Sequence, residues 1–301
     1  MKNLSAAIFL GLISLAAFGQ HDKRNNTLLW KISGNGLSQP SYLYGTIHLI
    51  CAEDAMLSDS LTRVIRECDE VYFEVDLDNF FEMIGAIGKM KMRGDTTLRD
   101  LLSEEDYARV KEYFERRQPL LPFSLLETFK PMLAASTLQE SGLACENTAM
   151  MEQLILEEAN RHGKKIRGLE SMAYQAGVLD SIPYRVQAEQ LLRYIRSNSS
   201  GDSRDEELDQ MMKAYREQDL ARLEELLNHP DAGIAEFAEP LLYNRNENWV
   251  RKLKQLLPKK SLLIAVGAGH LPGERGVISL LRKEGFTVTP VPNKLNKTRV
   301  I

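Results

Sequence analysis

Two histidines stand in matching surroundings near opposite ends of this 301-residue chain. Tyr42-Leu43-Tyr44 runs into Gly45-Thr46-Ile47-His48, and Leu262-Leu263-Ile264-Ala265-Val266 runs into Gly267-Ala268-Gly269-His270. Each is a β-prone apolar run closed by glycine, with a histidine three residues on, where a strand gives way to a loop. In α/β folds the loops at the carboxyl ends of strands are where ligands and chemistry collect. The spacing predicts a fold that brings His48 and His270 together.

Two imidazoles and a carboxylate are the minimal protein ligand set of a catalytic metal, with one position left for water. Glu74 is the candidate carboxylate, enclosed in Val71-Tyr72-Phe73-Glu74-Val75-Asp76-Leu77. An unpaired charge is costly to bury, so a carboxylate there points to a partner. The alternative is simple alternation, with Glu74 and Asp76 on the wet face of a half-buried strand. A metal held by His48, Glu74 and His270 would lower the pKa of a bound water and polarise a carbonyl. Glu170, at the end of Lys164-Lys165-Ile166-Arg167-Gly168-Leu169-Glu170, is a candidate general base or outer partner of that set. Arg245, in Tyr243-Asn244-Arg245-Asn246, could hold a substrate carboxylate or a developing oxyanion; its plain alternative is a surface arginine at a helix start. Such nitrogen and oxygen donors suit zinc, manganese, cobalt or iron and do not choose among them.

Gly267 and Gly269 allow positive φ or close backbone approach, and with Gly45 they are candidate substrate contacts. Pro272 stands where a dinucleotide fingerprint needs its third glycine, which argues against a nucleotide loop. Neither a Gly-x-Ser-x-Gly elbow nor a His-Glu-x-x-His helix occurs. The remaining histidines have ordinary settings: His21 in the polar lead, His162 at a helix end and His229 before a proline.

The elements that must position these residues read as an α/β fold, a mixed sheet with flanking helices and a large helical insertion over about 79–250. Strand patterns cover Thr27–Ile32, Tyr42–His48, Val71–Leu77, Lys164–Glu170, Ser261–Val266 and Phe286–Val291. The first two form a hairpin. The last two, with a helix over Gly276–Lys283 between them, predict neighbouring parallel strands. Helical spacing covers Leu57–Arg66, capped by Ser58 or Asp59, and then Leu98–Phe114, Leu125–Leu138, Thr148–His162, Arg185–Ile195, Arg204–Tyr215 and Leu220–Leu227. The charged run Asp202–Glu207 reads as a solvated first turn.

At 44% hydrophobic and 27% charged, the composition is that of an ordinary globular chain, and a net charge of -4 gives no case for nucleic acid or for anionic membranes. Lys2, the apolar stretch Ala6–Ala17 and the small-residue site Ala17-Phe18-Gly19 make a secretory signal, too short to favour a spanning helix. We expect residues 1–19 to be removed, the rest to form a single domain over 20–301, and the product to be periplasmic or extracellular, with no stable membrane span. Of the three cysteines, Cys51 and Cys68 are one candidate pair; at least one thiol is expected to serve packing.

With Leu43–His48, Val266–His270 and Gly276-Val277-Ile278-Ser279-Leu280-Leu281, the chain resembles the TraB/GumN family over about Leu28 to Val291. That family includes the Tiki metalloproteases and is related to the erythromycin-esterase and ChaN-like haem-binding proteins. The resemblance implies an α/β core with a helical insertion and an active-site set of His48, His270 and Glu74. Glu170, Arg245 and Gln175 also match family positions, Gln175 as a substrate contact. It implies metal-dependent hydrolysis of peptide bonds in the Tiki branch, with manganese, cobalt or zinc as the ion. Because a haem-binding relative shares the fold, the alternative is a non-enzymatic binder of peptide or haem. The expected partner is a peptide or small-molecule substrate.

Overall fold

The computed structural model describes residues 26–117, 119, 121–138, 145, 147–198, 206–229 and 235–295. The expected signal segment, the first part of the charged run (202–205) and the last six residues lie outside them.

The chain order is β1 (Leu29–Ser33), β2 (Ser41–Thr46), β3 (Ile50–Cys51), α1 (Asp59–Glu67), β4 (Glu70–Phe73), α2 (Phe80–Met90), α3 (Leu98–Leu101), α4 (Glu104–Arg117), α5 (Phe123–Leu126) and α6 (Pro131–Ser136). It continues with β5 (Thr148–Ala149), α7 (Met151–Arg161), β6 (Lys165–Gly168), α8 (Met172–Val178), α9 (Tyr184–Asn198), α10 (Glu206–Arg216), α11 (Leu220–Leu227), α12 (Asn244–Leu256), β7 (Leu262–Gly267), α13 (Val277–Lys283) and β8 (Thr287–Pro290).

The principal sheet has the order β6-β4-β7-β2-β1-β8, in which β6, β4, β7 and β2 run parallel. All their carboxyl ends therefore lie along one edge. β7 is apolar because both of its faces are covered, as parallel strands require. On one side Phe73, Leu263 and Ala265 meet Leu61 of α1, Ile155 of α7, Met212 of α10 and Leu223 of α11. On the other, Tyr72, Ile264 and Val266 meet Trp249 and Leu253 of α12 and Ile278 and Leu281 of α13. α4, α5, α6 and α9 build a separate core around Val110, Phe114, Phe123, Ala134, Leu191 and Ile195, so part of the helical middle is a unit of its own. The segment β5–α7–β6 returns to the sheet.

Local sequence explains the joints. Gly34, Asn35 and Gly36 take φ of 76°, 50° and 77° in the β1–β2 connection, which glycine and asparagine tolerate best. Ser58 caps α1, its hydroxyl accepting from Leu61 N at 3.0 Å.

Several expectations need correction. β8 is parallel to β7 but separated from it by two strands, β2 and β1, and pairs antiparallel with β1. β4 and β2 already occupy both edges of β7, leaving no place beside it. Leu98–Phe114 is broken at Leu102, which is extended, and Ser103 starts α4 anew by accepting from Asp106 N at 3.2 Å. Leu125–Leu138 is broken before Pro131, since proline disfavours helical backbone in the residue ahead of it and Lys130 is extended. The run from Thr148 begins as a short strand against β3, and the helix starts only at Met151. The strand expected to run through Glu74 to Leu77 stops at Phe73, and Glu74 is buried rather than on a wet face. The disulfide joins Cys51 to Cys145, Cα atoms 5.8 Å apart, and not to Cys68. Pairing of β3 with β5 draws Cys145 to Cys51, while Cys68 is buried at the end of α1, its thiol donating to Ile65 O at 3.3 Å. Among the described residues no helix is long and apolar enough to cross a membrane.

The pairing is testable by thiol titration. The native chain should react with no equivalent of Ellman's reagent, and the unfolded, unreduced chain with one, traceable to Cys68 and lost in Cys68→Ser.

Candidate functional site

The carboxyl ends of β4, β6 and β7 carry Glu74, Glu170 and His270, and parallel pairing sets them side by side. Beyond β4 and β6 the pairing continues, with Leu169 N donating to Phe73 O and Glu170 N to Glu74 O, each at 2.8 Å. Gly168 makes this approach workable, because a Cβ there would lie 2.6 Å from Asp76 N and 2.7 Å from Glu170 O. Gly267 N donates to Glu74 Oε1 at 2.8 Å, and Gln175 Nε2 of α8 donates to Glu74 Oε2 at 2.8 Å.

Arg245, in the first turn of α12, closes the cluster. Its Nη2 donates to Glu74 Oε2 at 2.5 Å and to Glu170 Oε1 at 2.6 Å, and its Nε to Glu170 Oε1 at 2.9 Å. Nη1 donates to Leu241 O at 2.9 Å and faces His270 Nε2 at 3.2 Å. With five N–H groups on a guanidinium, each has a partner here. One helical turn on, Trp249 Nε1 donates to Glu170 Oε2 at 2.9 Å, and its ring lies 4.5 Å from that of His270.

Asn246 sets the His270 tautomer. Its Nδ2 donates to Arg275 O at 2.9 Å, which turns Oδ1 toward His270 Nδ1 at 2.6 Å. Nδ1 is therefore the protonated nitrogen and Nε2 carries the lone pair, directed at Arg245 and 3.7 Å from Glu74 Oε1. Burial, with the guanidinium alongside, pushes His270 down to about 3 and keeps it neutral. Burial would raise Glu74, yet the surrounding His270, Arg245 and His48 groups and the Gly267 N–H bring it to about 2. With His270 neutral, Arg245 is the buried positive charge responsible. Glu170 is shifted up by burial, against the pull of Arg245. Burial opposes the charge on Arg245, but the two carboxylates outweigh it and raise its pKa.

His48 stands at the exposed margin of this buried group, near enough for its charge to act on Glu74. It is 68% exposed, and its Nδ1 meets Glu152 Oε1 at 2.7 Å, the oxygen that also accepts from Thr46 Oγ1 at 2.7 Å. That bond raises His48 to about 9. The second oxygen of Glu152 is buried without a partner. Gly45 and Gly269 face protein atoms: a Cβ on Gly45 would sit 3.1 Å from Ala268 and one on Gly269 2.7 Å from Leu227 Cδ1. Close approach, and not positive φ, is what they provide, and Gly267 has a φ of -49°.

Thus Glu74, Glu170, Arg245, His270, Gln175 and Gly267 come together. Sequence reasoning missed Asn246, Trp249, Thr46 and Glu152. Asn246 sat in the quoted Asn244-Arg245-Asn246, and Trp249 is four residues past Arg245 on the same helical face. Glu152 had no signal to separate it from the other acids of α7. Among the described residues, no three histidine, cysteine, aspartate or glutamate side chains are grouped so as to hold a metal ion.

The sequence profile of the TraB/PrgY/gumN family matches residues 28–290. The chain belongs to the TraB/PrgY/gumN family. Among curated relatives of this TraB/PrgY/gumN chain, Metalloprotease TIKI2 of Danio rerio is 23% identical over 325 residues, covering 90% of the chain and 62% of the relative. Metalloprotease TIKI1 of Homo sapiens is 22% identical over 319 residues, 89% of the chain and 62% of the relative. A Metalloprotease TIKI homolog of Amphimedon queenslandica is 23% identical over 351 residues, 98% of the chain and 67% of the relative. The chain therefore spans about three-fifths of the first two relatives. No solved structure matches it.

Removing Arg245 would leave two buried carboxylates uncompensated. Arg245→Ala should destabilise the fold by about 3–5 kcal/mol in chemical unfolding at neutral pH. The loss should shrink as the pH falls, because protonation removes the unpaired charge. Arg245→Lys, a compact cation without the planar fork, should restore only part.

Proposed function

We propose that this protein is an exported, metal-dependent hydrolase of peptide bonds. The observation that carries the reading is the convergence of Glu74, Glu170, Arg245 and His270 on the carboxyl edge of a parallel sheet, in a family whose curated relatives are named metalloproteases. Those names support a divalent ion, with manganese, cobalt or zinc suited to the donors. The donor types suit one, although among the described residues they are not grouped around a common point. His270 has Nδ1 engaged by Asn246 Oδ1, which leaves Nε2 as its ligating nitrogen, while His48, held protonated by Glu152, would give up its Nε2 proton on binding the ion.

In this proposal His48, Glu74 and His270 would hold the ion, which would require Glu74 and His270 to part from Arg245. A bound ion supplies a water of lowered pKa and polarises the scissile carbonyl. The chain's own groups do the rest. Glu170, its pKa raised by burial, takes the proton released as water adds its oxygen to the acyl carbon, and passes it to the leaving nitrogen. Arg245 keeps Glu170 oriented and neutralises the buried charge. Asn246 holds the His270 imidazole in the tautomer with a free Nε2, and Glu152 fixes the orientation of His48. Gln175 fixes the Glu74 carboxylate.

The competing reading, a binder of peptide or haem without turnover, draws on the closure of the cluster, since every N–H of Arg245 is already engaged.

Metal content and cleavage of a mixed peptide library decide between them. The wild type should carry near-stoichiometric metal, lost in His48→Ala and His270→Ala, and its cleavage should stop with a chelator. His48→Ala alters an exposed side chain, so it should stay folded while turnover falls about a hundredfold or more. A folded wild type with no metal and no cleavage would favour the binding reading, and a Soret band with added haem would identify the ligand.

A further inference from the structure

Immediately beyond the candidate site, α2 presents side chains that no part of the described protein covers. Phe80, Phe81, Ile84 and Ile87 are exposed, Phe81 at 86%, and they account for four of the seven exposed large hydrophobic residues among those described. Their spacing, with Phe80, Ile84 and Ile87 four and then three residues apart, puts them on one stripe. Ala86 is buried, and Glu82 turns toward α8, where its Oε1 accepts from Met172 N at 2.7 Å. Gly85 and Gly88 continue the outer surface, with nothing within 4 Å of where a Cβ would stand.

The surroundings of the stripe narrow its partner. Lys89, Lys91 and Arg93 follow the last apolar residue and are all exposed, a cationic cluster on a chain of net charge -4. Arg93 also reaches Asp180 at 2.8 Å, and Asp78 and Asp95 bound the segment. A convex helix face is a poor clamp for a peptide, which needs a concave site. Exposed aromatic and branched side chains with cations at one end match a bilayer interface, where rings enter the acyl boundary and ammonium groups meet phosphates. The whole-chain charge argument against anionic membranes averages this cluster away.

We propose that α2 docks the protein on an anionic lipid surface, with Phe80, Phe81, Ile84 and Ile87 inserted and Lys89, Lys91 and Arg93 on the headgroups. α2 follows β4 directly, so docking holds the Glu74 edge of the sheet near the bilayer. The inference goes beyond peptide hydrolysis and stands without it.

The test places an environment-sensitive dye on Phe81→Cys in the full chain. The new thiol should label alone, because Cys51 and Cys145 are paired and Cys68 is buried. Vesicles of equal parts phosphatidylglycerol and phosphatidylcholine should shift the dye emission to the blue, while phosphatidylcholine alone should do so weakly. The same dye on Glu112→Cys, an exposed position of α4, should not respond. Lys89→Glu with Lys91→Glu should weaken the response on the order of 25-fold, and high salt should weaken it too. No shift with the phosphatidylglycerol vesicles would overturn the proposal. So would a lipid-free shift that grows with protein concentration, which would assign the face to a second copy, or a lipid-free shift on adding an apolar peptide.

Discussion

A guanidinium held between two buried carboxylates is the interaction on which the sheet edge depends. Isolated ions are expensive to take from water, and their mutual attraction compensates only when the geometry is good and the leftover lone pairs are bonded. Here the leftover positions are filled by five groups. Gly267 N and Gln175 serve Glu74, Trp249 serves Glu170, and the Leu241 carbonyl and His270 take the outer edge of Arg245. This explains why the strand ends must be where they are. Glycine at 168 lets β6 finish against the chain leaving β4, and α12 must begin where its first turn overhangs both.

The same interaction divides the two motif histidines. His270 is buried beside a fixed positive charge and stays neutral, with its lone pair directed inward. His48 leans on a carboxylate at the exposed end of β2 and favours the protonated form. Symmetry in sequence has thus become asymmetry in chemistry. A group that needs a lone pair and a group that holds a proton border one site from neighbouring strands.

Much of this was legible from residue types alone. Apolar runs closed by glycine marked β2 and β7, and the α/β class followed from their alternation with helical periods. The enclosed setting of Glu74 left open both a buried, partnered carboxylate and a wet-face residue, and the tertiary contacts decide for the first. What stayed hidden depends on tertiary contact. Nothing local tells Glu152 from Glu157 or Glu158 in α7, since only its place opposite Thr46 makes it the partner of His48. The surface reading of Arg245 failed because the carboxylates that bury it come from strands far away in sequence. The place of β8 also escaped, since a strand–helix–strand pattern fixes direction but not which neighbours are already taken. The Cys51–Cys145 bond required knowing that a two-residue strand would pair across the sequence between them.

The order in which the sheet is threaded has a consequence for when the cluster can exist. β7 lies between β4 and β2 yet is nearly the last strand made, and it carries Gly267 and His270. A chain emerging from synthesis holds Glu74 and Glu170 long before their neutralising arginine, and both before the central strand arrives. Until that insertion the chain made before β7 has a gap in the middle of its sheet and no assembled cluster. Any chemistry of the finished edge therefore waits on completion of nearly the whole molecule.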